Sequence, residues 1–265
     1  MPSETHMTGK ISVYIIAFNQ VDKLAAAINS VLWADEVVVV DSHSTDGTTE
    51  LALSLGARVE HVEFKGFGDL RNQAIACCRY EWIFSLDSDE RCTHAARDAI
   101  LRAVSSAEHD VYYVPRRNYF MGKAIAHSGW YPNYRQPQLF RQGALQFEND
   151  PVHERYRVVS SLAPGYLQQA IIQVPYQNFA EMLDKANRYS TLGVARLDKK
   201  YPQVSMAKAW GNAFWVFFKH YFLKRGCLDG WAGLMIATGN AYGTLYRYAK
   251  CYEQQQGWDY SRCGD

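Results

Sequence analysis

Residues 11–115 alternate short, continuous apolar runs with stretches whose apolar positions recur every three or four residues. Few folds accommodate that alternation. The runs at 11–17, 36–41, 58–64, 81–86 and 111–115 have strand length, and the intervening 21–33, 45–56, 69–79 and 93–105 read as helices. Glu36-Val-Val-Val-Val-Asp41 has no polar face, so it predicts a strand covered on both sides. Strand–helix repeats with short connections predict an α/β fold, Rossmann-like, with a mostly parallel central sheet flanked by helices. Crossovers in such sheets are right-handed, and ligands collect beyond the carboxyl ends of the strands.

The pattern changes after residue 115. Residues 116–141 are rich in aromatics, Gly and Pro and read as loops and short strands, and 166–174 as one more strand. From 179 onward the signal is helical, over 179–200, 205–224 and 228–253. The expected organisation is a flexible terminus at 1–10, an α/β domain at 11–178 with an internal change at 115–116, and a helical extension at 179–265.

Several classes are excluded. A net charge of +1 over 265 residues gives no whole-chain case for nucleic acid. The six cysteines contain no C-x-x-C pair, which argues against a zinc or thioredoxin-type site and for a reduced chain. Adjacent Cys77 and Cys78 suit two faces of a helix better than a disulfide. The polar 1–10 segment and the absence of a small-residue cleavage site after it predict no signal peptide. Residues 230–246 are uncharged but contain four glycines and fall short of the ~20 apolar residues of a membrane span.

Polar and acidic residues fall where the predicted strands end: Ala17-Phe18-Asn19, Asp41-Ser42 leading to Ser44-Thr45-Asp46-Gly47, and Asp87-Ser88-Asp89. Any one of these could cap the next helix; three at successive strand ends point to a ligand. Asp87 and Asp89 stand two apart, so in an extended segment they share a face. One can meet a ribose or base-proximal group while the other reaches a divalent cation, and hard oxygen donors beside substrate phosphates suit Mg²⁺ or Mn²⁺. No G-x-G-x-x-G follows the first strand and no Walker-type phosphate loop occurs, which disfavours dinucleotide-binding and P-loop domains.

These motifs, in this order, resemble the donor half of family 2 glycosyltransferases of the GT-A fold. Gly66-Phe67-Gly68 with Arg71-Asn72, Pro115-Arg116-Arg117-Asn118-Tyr119, Gly129-Trp130-Tyr131-Pro132, Gln138-Leu139-Phe140-Arg141, Val152-His153-Glu154 and Asn187-Arg188-Tyr189-Ser190 are similar to the lipopolysaccharide inner-core β-1,4-glucosyltransferases. The resemblance implies a nucleotide-sugar half at 11–115 and an acceptor half at 116–178. It implies UDP-sugar contacts at Ala17, Phe18, Asn19, Asp41, Ser44, Asp46, Arg71, Asp87 and Ser88, and a metal, Mg²⁺ or Mn²⁺, on Asp89 and Asp87, with His153 either a third ligand or an acceptor contact. Family 2 enzymes invert the anomeric centre, so a carboxylate must deprotonate the acceptor hydroxyl. Glu154 is the expected base and Asp150 the alternative. Trp130, Tyr131 and Arg141 are the expected acceptor contacts. The chain departs from the relatives at Asn19-Gln20, where they read Asn-Glu, and at Pro175-Tyr176, where they read His-Tyr.

Residues 205–250 hold eleven aromatics and six basic residues against one acid, Asp229, a local charge of +5. Aromatic and basic residues on neighbouring helical faces mark an interfacial helix on an anionic leaflet. The expectation is a peripheral enzyme on the cytoplasmic face of a bacterial inner membrane, acting on a lipid-linked saccharide. The alternatives are the same chemistry on another lipid-linked glycan or a protein, a non-catalytic sugar-nucleotide or membrane-binding module, and helices that dock on a partner subunit.

Overall fold

The computed structural model describes residues 9–131, 133–148 and 155–258. In chain order its elements begin β1 (Ile11–Ala17), α1 (Val21–Asn29), β2 (Glu36–Asp41), α2 (Thr48–Ser54), β3 (Arg58–His61), α3 (Phe67–Cys77), β4 (Trp82–Asp87), β5 (Glu90–Arg91), α4 (His94–Ser106) and β6 (Val111–Tyr113). Short strands follow: β7 (Arg116–Phe120), β8 (Lys123–Ala124), β9 (Pro137–Arg141), β10 (Leu145–Phe147), β11 (Tyr156–Val158), β12 (Gly165–Tyr166) and β13 (Ile171–Gln173). The remainder is helical: α5 (Phe179–Leu192), α6 (Val194–Lys200), α7 (Met206–Phe218) and α8 (Trp231–Gln256). A π-helical turn, Lys219–Leu223, and a 3-10 turn, Gly226–Asp229, lie between α7 and α8. The chain forms two compact units, Met1–Arg117 with Pro132–Val174, and Asn118–Tyr131 with Pro175–Asp265.

The first unit is built on a seven-stranded sheet in the order β12-β6-β9-β4-β1-β2-β3. β1 runs parallel to β2 and β4, β2 to β3, and β6 to β12, while β9 is antiparallel between β4 and β6. The central strands are largely apolar because both faces are covered, with Ser12 and Ser85 the buried exceptions in β1 and β4. Val13, Ile15 and Ala17 of β1 pack with Phe84, Leu86, and Leu24 and Ile28 of α1 on one face. Tyr14 packs with Val40, Ile83, Phe140 and Leu70 of α3 on the other. The register sets Ala17 beside Asp41 and Ile16 beside Asp87, so the three polar strand ends lie at one edge of the sheet.

β9 is the main departure from the sequence reading. It sends Leu139 to one core and Phe140 to the other, but five residues behind a proline carry too little periodicity to stand out among the loops.

In the second unit, the helix expected over 179–200 is two helices meeting at Gly193. A Cβ there would lie 2.7 Å from Nε of Arg247, so this crossing admits only glycine without a shift. Asp229, buried on its turn, accepts from the backbone N–H of Ala126 (3.2 Å), from the N–H of His127 and from Ser128 Oγ (2.9 Å), fixing the 126–128 loop. Among the described residues no helix is long and apolar enough to cross a membrane.

Candidate active site

The loops after β1 and β2 brace each other. Asn19 adopts a positive φ of 51°, which a short amide side chain tolerates better than most. Its N–H donates to Ser44 Oγ at 2.8 Å, and its Oδ1 accepts from the N–H of Thr45 at 2.9 Å. Asp46 Oδ2 accepts from the N–H of Val21 at 3.1 Å and Oδ1 from the N–H of Thr48 at 3.0 Å. One carboxylate thus satisfies the free first turn of α1 and closes the turn into α2. Burial pushes the Asp46 carboxyl up, but the hydrogen bonds from Thr48 and Val21 outweigh it and hold the group below its usual value.

Asp41 is fully buried. Its carboxylate accepts from the Ser44 N–H at 3.0 Å, from Thr49 Oγ1 at 2.9 Å and from the Ser44 hydroxyl. Asp41, expected among the nucleotide-sugar contacts, shapes the loop carrying Ser44. The surface it shapes is formed by Phe18, 54% exposed, with Asn19 exposed beside it and Ser44 half-buried.

At the end of β4, burial works against the Asp87 carboxylate, but the cations of Arg71 and Arg116 prevail and hold its pKa below the ordinary carboxylate value. Arg71, 2% exposed on α3, donates from Nη2 to Asp87 Oδ1 at 2.9 Å and from Nη1 to Ser85 Oγ at 3.2 Å. Its guanidinium also lies 5.6 Å from the Phe147 ring centroid. Arg71, expected among the UDP-sugar contacts, orients Asp87 in the structure.

Sequence reasoning missed Glu90. It is fully buried, accepts the Asp87 N–H at 2.9 Å and Gln138 Nε2 at 2.9 Å, and pairs with buried Arg116. Burial, with Asp87 and Asp89 nearby, raises its carboxyl against the opposing pull of Arg116. Glu90 thereby fixes the turn presenting Asp87-Ser88-Asp89. The signal was visible as a charged residue entering a short strand directly after the triplet.

Asp89 remains half-buried, with Oδ1 accepting from Gln173 Nε2 at 3.3 Å. Ser88 Oγ reaches Gln20 Oε1 at 3.4 Å, tying the triplet to the loop after β1. The donor set offered by Asp87 and Asp89 is hard oxygen, which fits Mg²⁺ or Mn²⁺. Asp87 holds Arg71 while Asp89 keeps a half-exposed carboxylate beside it. Among the described residues no cluster of three His, Cys, Asp or Glu side chains assembles. The expected third ligand His153, and both candidate bases Glu154 and Asp150, lie outside the described residues.

The acceptor expectations divide. Arg141 pairs across from Trp82, at the opposite end of β4 from Asp87, and its guanidinium engages Glu81 and Asp110 and covers the Trp82 ring. It is five residues of strand away from the triplet, on the order of 16 Å at ~3.3 Å per residue. In the structure Arg141 braces the strand ends remote from the triplet. Trp130 and Tyr131 belong to the second unit, where Trp130 packs against Phe120 and Tyr176.

Comparison with known proteins agrees with this architecture. A family model described as Glycosyl transferase family 2 matches residues 12–159. A glycosyltransferase of Rickettsia bellii is 29% identical over 262 residues, covering 93% of this chain and 87% of the relative. A lipopolysaccharide core biosynthesis glycosyltransferase of Rhizobium meliloti is 25% identical over 258 residues, covering 92% of each. Among solved structures, glucosyl-3-phosphoglycerate synthase from Mycobacterium tuberculosis, in complex with Mn²⁺, UDP and glucosyl-3-phosphoglycerate, is 23% identical with a TM-score of 0.38. That match covers 44% of this chain and 50% of the synthase.

Proposed function

The chain belongs to glycosyl transferase family 2, and on that premise we propose that it is an inverting, metal-dependent enzyme transferring glucose from UDP-glucose to a heptose of the lipopolysaccharide inner core. The observation that carries the reading is the Asp87-Ser88-Asp89 turn at the sheet edge, with Asp87 fixed by Arg71 and Glu90 and Asp89 left half-exposed. The lipopolysaccharide acceptor is supported by the Rhizobium meliloti relative, which aligns over nearly the full length of both chains.

In this reading Phe18, Asn19 and Ser44 form the surface against the nucleoside, and Asp89 with Asp87 would hold the ion. A divalent cation there would offset charge building on the departing diphosphate. Glu154, or Asp150, takes the proton of the acceptor hydroxyl. The hydroxyl oxygen bonds to the anomeric carbon from the face opposite the diphosphate, while the bond from that carbon to the phosphate oxygen breaks. The electron pair leaves with UDP, and the configuration inverts.

Membrane docking belongs to the same proposal. α7 is inverted relative to a soluble helix: Ala209 and Ala213 face inward, while Trp210 (63% exposed), Phe214 (72%) and Trp215 face outward. Phe222 and Leu223 are exposed as well, and the same segment carries Lys208, Lys219, Lys224 and Arg225 with no acid from 206 to 228. An aromatic face with a basic rim fits the anionic cytoplasmic leaflet, where a lipid-anchored acceptor resides.

Nucleoside diphosphate release from UDP-, GDP- and dTDP-sugars, with inner-core lipopolysaccharide truncated at heptose as acceptor, tests the proposal. UDP-glucose turnover that requires both acceptor and Mg²⁺ or Mn²⁺ is expected; turnover confined to another donor overturns the glucose assignment.

A further inference from the structure

The second unit holds a half-open cavity of about 360 Å³ that the donor-site chemistry does not use. Its volume lies within the range of small-molecule sites. Trp130, Tyr176, Lys185, His220, Asn240 and Arg247 contribute its chemistry, and no carboxylate is among its described lining residues. The Trp130 and Tyr176 ring centroids are 6.5 Å apart, both set against Phe120, so one wall is aromatic. Asn240 Nδ2 and His220 Nδ1 stand 3.3 Å apart on the polar side.

Two cations complete the lining. Lys185 Nζ donates to the Pro175 carbonyl at 2.7 Å and lies 3.4 Å from Glu181, so its charge is partly compensated. Arg247 differs. Its Nε is buried with no hydrogen-bond acceptor among the described residues, and it lies 2.7 Å from where a Cβ on Gly193 would stand. A buried guanidinium N–H without an acceptor is costly, and an anionic oxygen would satisfy it.

We infer that this cavity binds a phosphate-bearing sugar, with Arg247 and Lys185 taking the phosphate, Asn240 the ring hydroxyls and the Trp130–Tyr176 wall the apolar face of the ring. Aromatic rings match the C–H face of a sugar, and the cations supply what an uncharged hexose does not need. The choice of a saccharide rests on the glycosyltransferase reading, which the inference deepens by naming the chemistry of the acceptor portion.

Calorimetric titration of the full chain with mannose 6-phosphate, mannose, inorganic phosphate and glycerol 3-phosphate tests it. Mannose 6-phosphate is expected to bind in the low-millimolar range and most tightly of the four. Arg247→Met should weaken it about tenfold, a loss typical of a charged hydrogen bond. Trp130→Ala should weaken mannose 6-phosphate while leaving inorganic phosphate unchanged, and Lys185→Gln gives a second test of the cations should Arg247→Met fail to fold. UDP affinity should stay the same in all three variants. The assignment is overturned by no binding, by binding indifferent to these variants, or by equal affinity for mannose. Equal affinity for glycerol 3-phosphate would instead make the cavity a phospholipid head-group site. A chain that binds mannose 6-phosphate here but no UDP-sugar would remove the transferase reading and leave the cavity assignment intact.

Discussion

Arg71 Nη2 donates to Asp87 Oδ1 at 2.9 Å, from a guanidinium almost wholly removed from solvent. A residue sixteen positions earlier, on a helix, thus sets the orientation of the strand-end carboxylate. Removing the cation leaves Asp87 partly buried without its hydrogen-bonded partner, a change that costs about 3–5 kcal/mol in comparable pairs. Arg71→Met should therefore lower thermal stability and weaken UDP binding together. Arg71→Lys, which restores charge but not the fork reaching both Asp87 and Ser85, should recover part of each. Melting curves and UDP titrations check this; an Arg71→Met chain with unaltered UDP affinity would refute the positioning role.

Glu90 and Arg116 form the second buried pair beneath the same turn. Glu90→Gln strands the Arg116 cation, and Arg116→Met strands the Glu90 carboxylate. Each single change should destabilise by about 3–5 kcal/mol, whereas the double change should cost less than their sum. A denaturant double-mutant cycle measures the coupling, and additive losses would show that the two do not act as a pair.

The α/β repeat was legible because strands covered on both faces must be apolar throughout, as in Val37-Val38-Val39-Val40. The positions of Asn19, Asp41 and Asp87 at strand ends were legible for the same reason. Their division of labour was not. Whether a carboxylate faces a ligand or its own loop depends on partners such as Ser44 and Thr49 for Asp41 and Arg71 for Asp87, and spacing does not encode them. Periodicity showed which residues of α7 share a face but not that Trp210 and Phe214 face outward, because that depends on what packs against Ala209 and Ala213. The joining of Asn118–Tyr131 to the C-terminal helices rests on contacts such as Ser128 to Asp229, made across 101 residues.

That last contact is testable by itself. Asp229 collects donors from Ala126, His127 and Ser128, and Ser128 holds a positive φ of 59°. Asp229→Ala should release the loop at a cost of about 1–3 kcal/mol and accelerate amide exchange at 126–128, with Asp229→Asn falling between it and the native chain. Unchanged exchange at these amides would remove Asp229 from the role of loop anchor.

The outward aromatics of α7 should contribute little to folding. Trp210→Ser with Phe214→Ser should shift stability by no more than about 0.5 kcal/mol per site, as for other surface changes. The same pair should abolish co-sedimentation with phosphatidylglycerol vesicles at low salt. Raised salt should weaken native binding through the basic rim. Concentration-dependent dimerisation lost in the double variant, with no vesicle binding by the native chain, would assign the face to a second copy instead.

The decisive measurement compares UDP release by the native chain and by Asp89→Ala, with UDP-glucose, Mn²⁺ and heptose-terminated lipopolysaccharide. Native turnover that depends on the metal, and its loss in Asp89→Ala while the melting temperature is retained, is the expected result. Metal-dependent turnover surviving in Asp89→Ala would contradict the placement of the ion at the Asp87-Ser88-Asp89 turn, and with it the mechanism proposed for this sheet edge.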